Sequence, residues 1–171
     1  GMDVTATQNY EIEKLSDDYQ SIKVDIKGLK GGHSGGDIQL ELGNSNKLLA
    51  RFLFKSLDFN AQIASMDSGG LRNAIPREGH FIISIENSKI DELIKSLEEL
   101  KTDIINEFLP IEPNIQIEIT KVDSQESVAS FEETKNLTYA VMSAFNGVYR
   151  MSPEMEGVTE TSNNVANVVV K

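Results

Sequence analysis

The most informative chemistry in the sequence is a glycine-rich loop around one of its two histidines. Residues 31–36 read Gly-Gly-His-Ser-Gly-Gly and place His33 between paired glycines. Such glycines let the backbone turn at positive φ and approach a ligand closely, and the imidazole can donate to an oxyanion or carry a proton near neutral pH. The same pattern also fits a flexible loop with an incidental histidine. A serine nucleophile at Ser34 is disfavoured, because sequence neighbours point apart and no orienting acid is evident.

A second segment carries side chains that suit a carboxylate-bearing ligand. Residues 69–77 read Gly-Gly-Leu-Arg-Asn-Ala-Ile-Pro-Arg. Arg72 and Arg77 each offer a planar fork for a carboxylate, and Asn73 can both donate and accept. The alternative is a solvated turn locked by Pro76.

Charge and composition exclude several function classes. Lys and Arg number 16 against 27 Asp and Glu, for a net charge of −11, so we expect neither nucleic acid nor membrane as a partner. The absence of cysteine removes disulfides, a thiol nucleophile and thiolate metal sites, and it fits a cytoplasmic protein. Two glutamate pairs, at residues 98–99 and 132–133, fall on helix faces and are predicted to be solvated. We expect no metal ligands in this chain.

The hydrophobic pattern predicts an α+β fold. Alternating Ile22, Val24 and Ile26 indicate a half-buried strand, and helical spacing follows from residue 48 to residue 57 with Asn44 or Ser45 as N-cap. Further strands, a long helix capped by Asn87 or Ser88, and a fourth strand complete the order β-α-β-β-α-β. This is the order of a ferredoxin-like sandwich, an antiparallel sheet with helices on one face. The predicted strands are residues 19–29, 61–66, 80–86 and 115–120, and the predicted helices are residues 48–57 and 90–108. Residues 71–78 are predicted to be an edge strand or a loop crossing, because Pro76 lacks an amide donor.

The segments outside this unit are less regular. Residues 1–18 are predicted to be a linker with a short strand at 4–7, and residues 19–122 form the ferredoxin-like unit. Residues 123–171 begin with a polar linker and hold one helix, ending at an Asn-Gly pair at 146–147, and one strand. A single helix and strand cannot make their own core, so this part either packs on the first unit or forms a partial second unit. We assign it as a partial second unit.

Four blocks of residues, in order along the chain, resemble the lid domain of bacterial aminoacyl-histidine dipeptidases, which are M20 zinc metallopeptidases. The blocks are residues 28–36, 43–53, 70–78 and 157–165, the last reading Gly-Val-Thr-Glu-Thr-Ser-Asn-Asn-Val. The resemblance implies a lid of two linked ferredoxin-like units, inserted into a catalytic domain. No His-x-Asp zinc motif occurs here, so the resemblance implies the lid alone, a piece without activity of its own.

The resemblance also implies roles for single residues. The parent enzyme would hydrolyse dipeptides with a C-terminal histidine, using two zinc ions held by the catalytic domain. His33 matches the lid histidine that stabilises the oxyanion, Asn73 matches an asparagine that contacts substrate, and Arg72 is a candidate for the substrate carboxylate. The implied partners are a dipeptide, the catalytic domain and a second copy of the chain. His33 would serve the active site of either its own or a partner subunit.

Two other interpretations stay open on the sequence alone. A free-standing ferredoxin-like module could bind a small molecule or dimerise, with His33 and Arg72 lining a pocket. The chain could also be the lid of another M20 peptidase or deacylase with a different substrate.

Overall fold

The computed structural model describes residues 1–171, and it is organised around one five-stranded antiparallel sheet. The sheet strands are β2 (Tyr19–Lys27), β4 (Gln62–Gly69), β6 (Gly79–Glu86), β7 (Gln116–Val122) and β11 (Asn167–Val170). The helices are α1 (Ser45–Ser56), α2 (Ile90–Phe108) and α3 (Phe131–Ser143). Shorter strands form three two-stranded ribbons: β1 (Ile12–Lys14) with β8 (Ser127–Ala129), β3 (Gly32–His33) with β5 (Ala74–Ile75), and β9 (Gly147–Met151) with β10 (Thr159–Asn163).

The strand order confirms the ferredoxin-like unit predicted from the sequence. Across the sheet the order is β11-β4-β6-β2-β7, so from the β7 edge the four strands of the unit lie as its fourth, first, third and second strands along the chain. Alternation sets the two faces of β2: Ile22, Val24 and Ile26 are fully buried in the core, and Lys23 and Asp25 pair on the other face. The core is therefore one layer of side chains between the sheet and the helices.

The two helices of the unit begin differently. Asn44 caps α1 as predicted, because its side chain accepts from the amide of Lys47. The predicted cap of α2 at Asn87 or Ser88 is wrong, since residues Asn87–Lys89 form a 3-10 turn and α2 starts at Ile90 without a side-chain cap bond. The helix ends at Phe108, ahead of Pro110, as expected from proline's restricted backbone.

Several local expectations at the ends of elements are also wrong. Residues 67–70 read as a turn, but β4 continues to Gly69 because β11 pairs with it there, Asn167 opposite Gly69. The expected strand at 4–7 is absent, and β1 lies further along the chain. The polar linker contains β8, which pairs with β1. The helix near the C-terminus ends at Ser143, three residues before the Asn-Gly pair expected to cap it.

The last fifty residues attach to the unit rather than standing apart from it. β11 adds a strand to the β4 edge, and α3 packs against α1. Lys47 of α1 fastens α3, because its ammonium donates to the carbonyls of Val141, Met142 and Ala144 at 2.7, 2.8 and 2.8 Å. Burial lowers the pKa of Lys47 from its ordinary value. The division of the chain at residues 18 and 122 stays a prediction.

Candidate functional site

A short antiparallel ribbon brings the two predicted site segments together. β3 pairs with β5, with Gly32 opposite Ile75 and His33 opposite Ala74. The pairing extends by one bond, because the amide of Ser34 donates to the carbonyl of Asn73 at 2.9 Å. His33 and Asn73, 40 positions apart in the sequence, are therefore diagonal neighbours across the ribbon, and both are exposed.

The loop around His33 folds back on its own residues. The His33 amide donates to the Oδ2 carboxylate oxygen of Asp37 at 2.7 Å, and the Asp37 amide donates to the His33 carbonyl at 2.8 Å. The imidazole Nδ1 accepts from the amides of Gly35 and Gly36 at 3.0 and 3.1 Å. The imidazole is thus held by the loop that carries it.

A buried carboxylate closes the base of this loop. Glu112 is fully buried and has no ion-pair partner, and its two oxygens accept from the amides of Lys30 and Gly43, each at 2.8 Å. A side chain at Gly43 would displace the buried Leu29, since a Cβ there would lie 2.7 Å from its Cδ2. Glu112 therefore fixes the distance between the two ends of the segment that carries His33.

A cluster of asparagines joins the ribbon to the C-terminal part of the chain. Asn44 Nδ2 donates to Asn146 Oδ1 at 2.9 Å, to the Val165 carbonyl at 3.1 Å and to Asn164 Oδ1 at 3.3 Å. Asn164 Nδ2 in turn donates to the carbonyl of Ala74 at 2.7 Å, next to Asn73. The four sequence blocks singled out above, spread over residues 28–165, are thus linked to one another around the ribbon.

The two arginines of the second segment have different surroundings. Arg72 is highly exposed, with 82% of its side chain accessible, and it pairs with Asp3 at 3.1 Å. The side chain of Arg77 lies against Gly31, where an added Cβ would be 3.1 Å from the arginine Cβ. The predicted candidate Arg72 therefore directly precedes Asn73 in the chain, and its guanidinium is paired with Asp3 of the N-terminal segment.

The chain has no cluster of side chains suited to bind a metal ion. No three His, Asp or Glu side chains are grouped so that they could hold a metal ion. The second histidine, His80, belongs to β6 of the central sheet, where it lies opposite Asp25 and Asp67. The residues present do not fit the two zinc ions implied by the family resemblance.

None of the helices is both long and apolar enough to span a bilayer.

Sequence reasoning missed two residues that shape this site. Asp37 closes the glycine-rich loop, and an aspartate four positions after the histidine is the type of residue that bonds nearby backbone amides in turns. Glu112 carried no signal, because its partners lie 82 and 69 positions away. Its only local mark is its place between two prolines, Pro110 and Pro113.

Fold and site together describe a ferredoxin-like domain with an exposed histidine loop built on one end. A putative amidohydrolase/peptidase from Burkholderia cenocepacia shares this fold, with a TM-score of 0.51 at 12% identity, covering 72% of this chain and 33% of its own. No family model matches the chain.

Two closer matches are dipeptidases. The chain is 35% identical over 172 residues, 99% of its length, to the cytosol non-specific dipeptidase of Escherichia coli K12. It superimposes with a TM-score of 0.91, at 32% identity over 96% of its length, on the aminoacylhistidine dipeptidase of Vibrio alginolyticus. The chain spans 35% of the first relative and 34% of the second. It is thus homologous to about one third of an aminoacylhistidine dipeptidase, and the M20 resemblance agrees with both matches.

Proposed function

We propose that this chain is the substrate-facing lid of a dipeptidase that cleaves dipeptides with a C-terminal histidine. The observation that carries the proposal is the β3–β5 ribbon, which brings the segments of His33 and Asn73 together with both residues exposed. Almost the whole chain matches one third of a dipeptidase, and this match favours a lid domain rather than a free-standing binding module. The competing interpretation is that the chain is the lid of another M20 peptidase or deacylase, and the test below distinguishes the two.

In this role His33 acts on the charge that develops during hydrolysis. Attack on a peptide carbonyl places negative charge on its oxygen, and a positioned N–H donor stabilises that oxyanion more than the ground-state carbonyl. His33 is exposed and its ring is held through Nδ1, so Nε2 is the nitrogen left to bond to a substrate bound on a second domain. Removal of one such donor typically lowers turnover by ~10²–10³.

Asn73 and Arg72 would hold the dipeptide itself. The backbone carbonyl of Asn73 accepts from the Ser34 amide, and its exposed side-chain amide would donate to and accept from the substrate backbone. Arg72 would take the C-terminal carboxylate. Its ion pair with Asp3 is exposed on both sides, with 82% and 61% of the side chains accessible, so exchanging one carboxylate for another costs little.

The remaining parts of the reaction would come from outside this chain. The parent enzyme would use two zinc ions in a catalytic domain, and this chain without that domain would not hydrolyse peptides. We further propose that the parent enzyme works in the cytoplasm, as the name of the Escherichia coli relative indicates for that protein. A second copy of the chain is a candidate partner, as is the catalytic domain itself.

The test is a substrate comparison on the full-length protein that contains this segment. We expect zinc-dependent hydrolysis of Xaa-His dipeptides and slow or no hydrolysis of N-acyl amino acids. Blocking the substrate carboxylate as an amide should raise KM in the parent enzyme and have a smaller effect in Arg72→Ala. Preference for N-acyl amino acids would show that the parent enzyme has another M20 activity, and the absence of any hydrolysis would overturn the proposal.

A further inference from the structure

The hydrogen bonds of the His33 ring determine which of its nitrogens carries the proton. Nδ1 accepts from the backbone amides of Gly35 and Gly36, at 3.0 and 3.1 Å. A nitrogen that accepts two N–H groups has its lone pair engaged and holds no proton. In the neutral imidazole the proton is therefore on Nε2, the atom on the far side of the ring.

The geometry that delivers these two amides depends on Asp37. Its Oδ2 accepts from the His33 amide at 2.7 Å, and its own amide donates to the His33 carbonyl at 2.8 Å. These bonds join the first and last residues of the turn from 33 to 37, so the amides of Gly35 and Gly36 face the ring. The fit is close on both sides: a Cβ at Gly32 would lie 2.9 Å from Asp37 Oδ2, and a Cβ at Gly35 would lie 3.3 Å from the His33 ring.

We infer that Asp37 is a positioning residue that keeps His33 in the Nε2–H form, with this donor directed out of the loop. The inference rests on the proposed function, since an outward N–H is what an oxyanion requires. Loss of the Asp37 carboxylate leaves the His33 amide without its acceptor and opens the turn. The glycine amides then no longer face Nδ1, and the ring populates both tautomers.

The direct test is the tautomer of His33 in the ¹⁵N-labelled chain, read from long-range ¹H–¹⁵N correlations of the imidazoles at a pH where they are neutral. The chain has only two histidines, so His80→Gln assigns the spectrum. We expect an unprotonated Nδ1 and a protonated Nε2 at His33 in the parent chain. Asp37→Ala should shift both nitrogens toward averaged values. Asp37→Asn should restore the parent pattern, because its side-chain oxygen still accepts the His33 amide.

A matched control removes an acidic side chain without touching the loop. Asp123 is exposed, and Asp123→Ala should leave the His33 nitrogens unchanged. Averaged tautomers in the parent chain would overturn the inference. An unchanged His33 signal in Asp37→Ala, with circular dichroism showing that the variant is folded, would also overturn it.

An activity measurement separates this inference from the proposed function. In the full-length enzyme, Asp37→Ala should lower kcat by about tenfold to a hundredfold, as for a misplaced catalytic group, and change KM less. Asp37→Asn should recover most of the loss. If His33→Ala retains the parent kcat, the proposed role of His33 fails whatever the tautomer is. If His33→Ala is inactive and Asp37→Ala is not, the role of His33 stands and the role of Asp37 fails.

Discussion

The side-chain amide of Asn164 donates to the carbonyl of Ala74, and Ala74 is the residue that lies opposite His33 in the β3–β5 ribbon. A residue 131 positions downstream of His33 thus supports the strand that lies opposite it. Asn164 also accepts weakly from Asn44, the N-cap of α1, at 3.3 Å. The ribbon is therefore held from the C-terminal part of the chain as well as from its own loop.

We predict that Asn164→Ala loosens the ribbon. The variant leaves the Ala74 carbonyl without its partner, and the free energy of unfolding should fall by about 1 kcal/mol. The Ser34 amide, which bonds to Asn73 in the same ribbon, should exchange with solvent faster in hydrogen-exchange measurements on the chain. Asn136→Ala is the control, since Asn136 is exposed on α3. Unchanged protection at Ser34 would show that Asn164 does not support the ribbon.

Local sequence patterns predicted the elements of the central unit well. Ile22, Val24 and Ile26 alternate because one face of β2 meets the helices, and this information lies within a few residues. The cap at Asn44 is equally local, since it needs only the amide of Lys47. Such features depend on neighbours in the chain, so they can be read without knowledge of the fold.

The errors arise where a distant partner decides the structure. The glycines at 69 and 70 indicated a turn, but β11 extends β4 to Gly69 by pairing with it. Ser127–Ala129 became a strand only because β1 lies beside it. In the candidate site, His33 and Asn73 were proposed from their blocks and their roles stay predictions, whereas the bonds made by Glu112 and Asn164 depend on how separate segments pack.

We predict that Glu112 is required for the fold of the loop base. Glu112→Ala leaves the buried amides of Lys30 and Gly43 without acceptors, so the free energy of unfolding should fall by about 2–4 kcal/mol. Glu112→Gln keeps one acceptor and should lose about half as much. Urea unfolding of the chain measures both, with Glu99→Ala on the exposed face of α2 as the control. Equal stability of Glu112→Ala and the control would contradict the assignment.

We predict that Lys47 holds α3 onto α1. Lys47→Met removes three hydrogen bonds to the C-terminal end of α3 and should lower the free energy of unfolding by about 1–2 kcal/mol. Lys55→Met, which breaks only an exposed pair with Asp58, should cost less than about 0.5 kcal/mol. Thermal or urea unfolding of the two variants gives the comparison. A loss no larger in Lys47→Met than in Lys55→Met would contradict this role.

Because the pKa of Lys47 is lowered, the difference in unfolding free energy between the parent chain and Lys47→Met depends on pH. Below the ordinary value of 10.5 there is a window in which the unfolded chain binds more protons at this group than the folded chain. The stability contributed by Lys47 therefore rises with pH through that window. The gap in unfolding free energy between the parent chain and Lys47→Met should widen as the pH approaches 10.5. A gap that narrows over this range would indicate a raised pKa instead.

The central claim is that His33 stabilises the oxyanion of a dipeptide under hydrolysis, and the most direct test is the turnover of His33→Ala. In the full-length enzyme with an Xaa-His substrate, kcat should fall by ~10²–10³ while KM changes little. His80→Gln, at a position in the central sheet and outside the β3–β5 ribbon, should keep the parent kcat. A His33→Ala enzyme that retains the parent kcat would contradict the account.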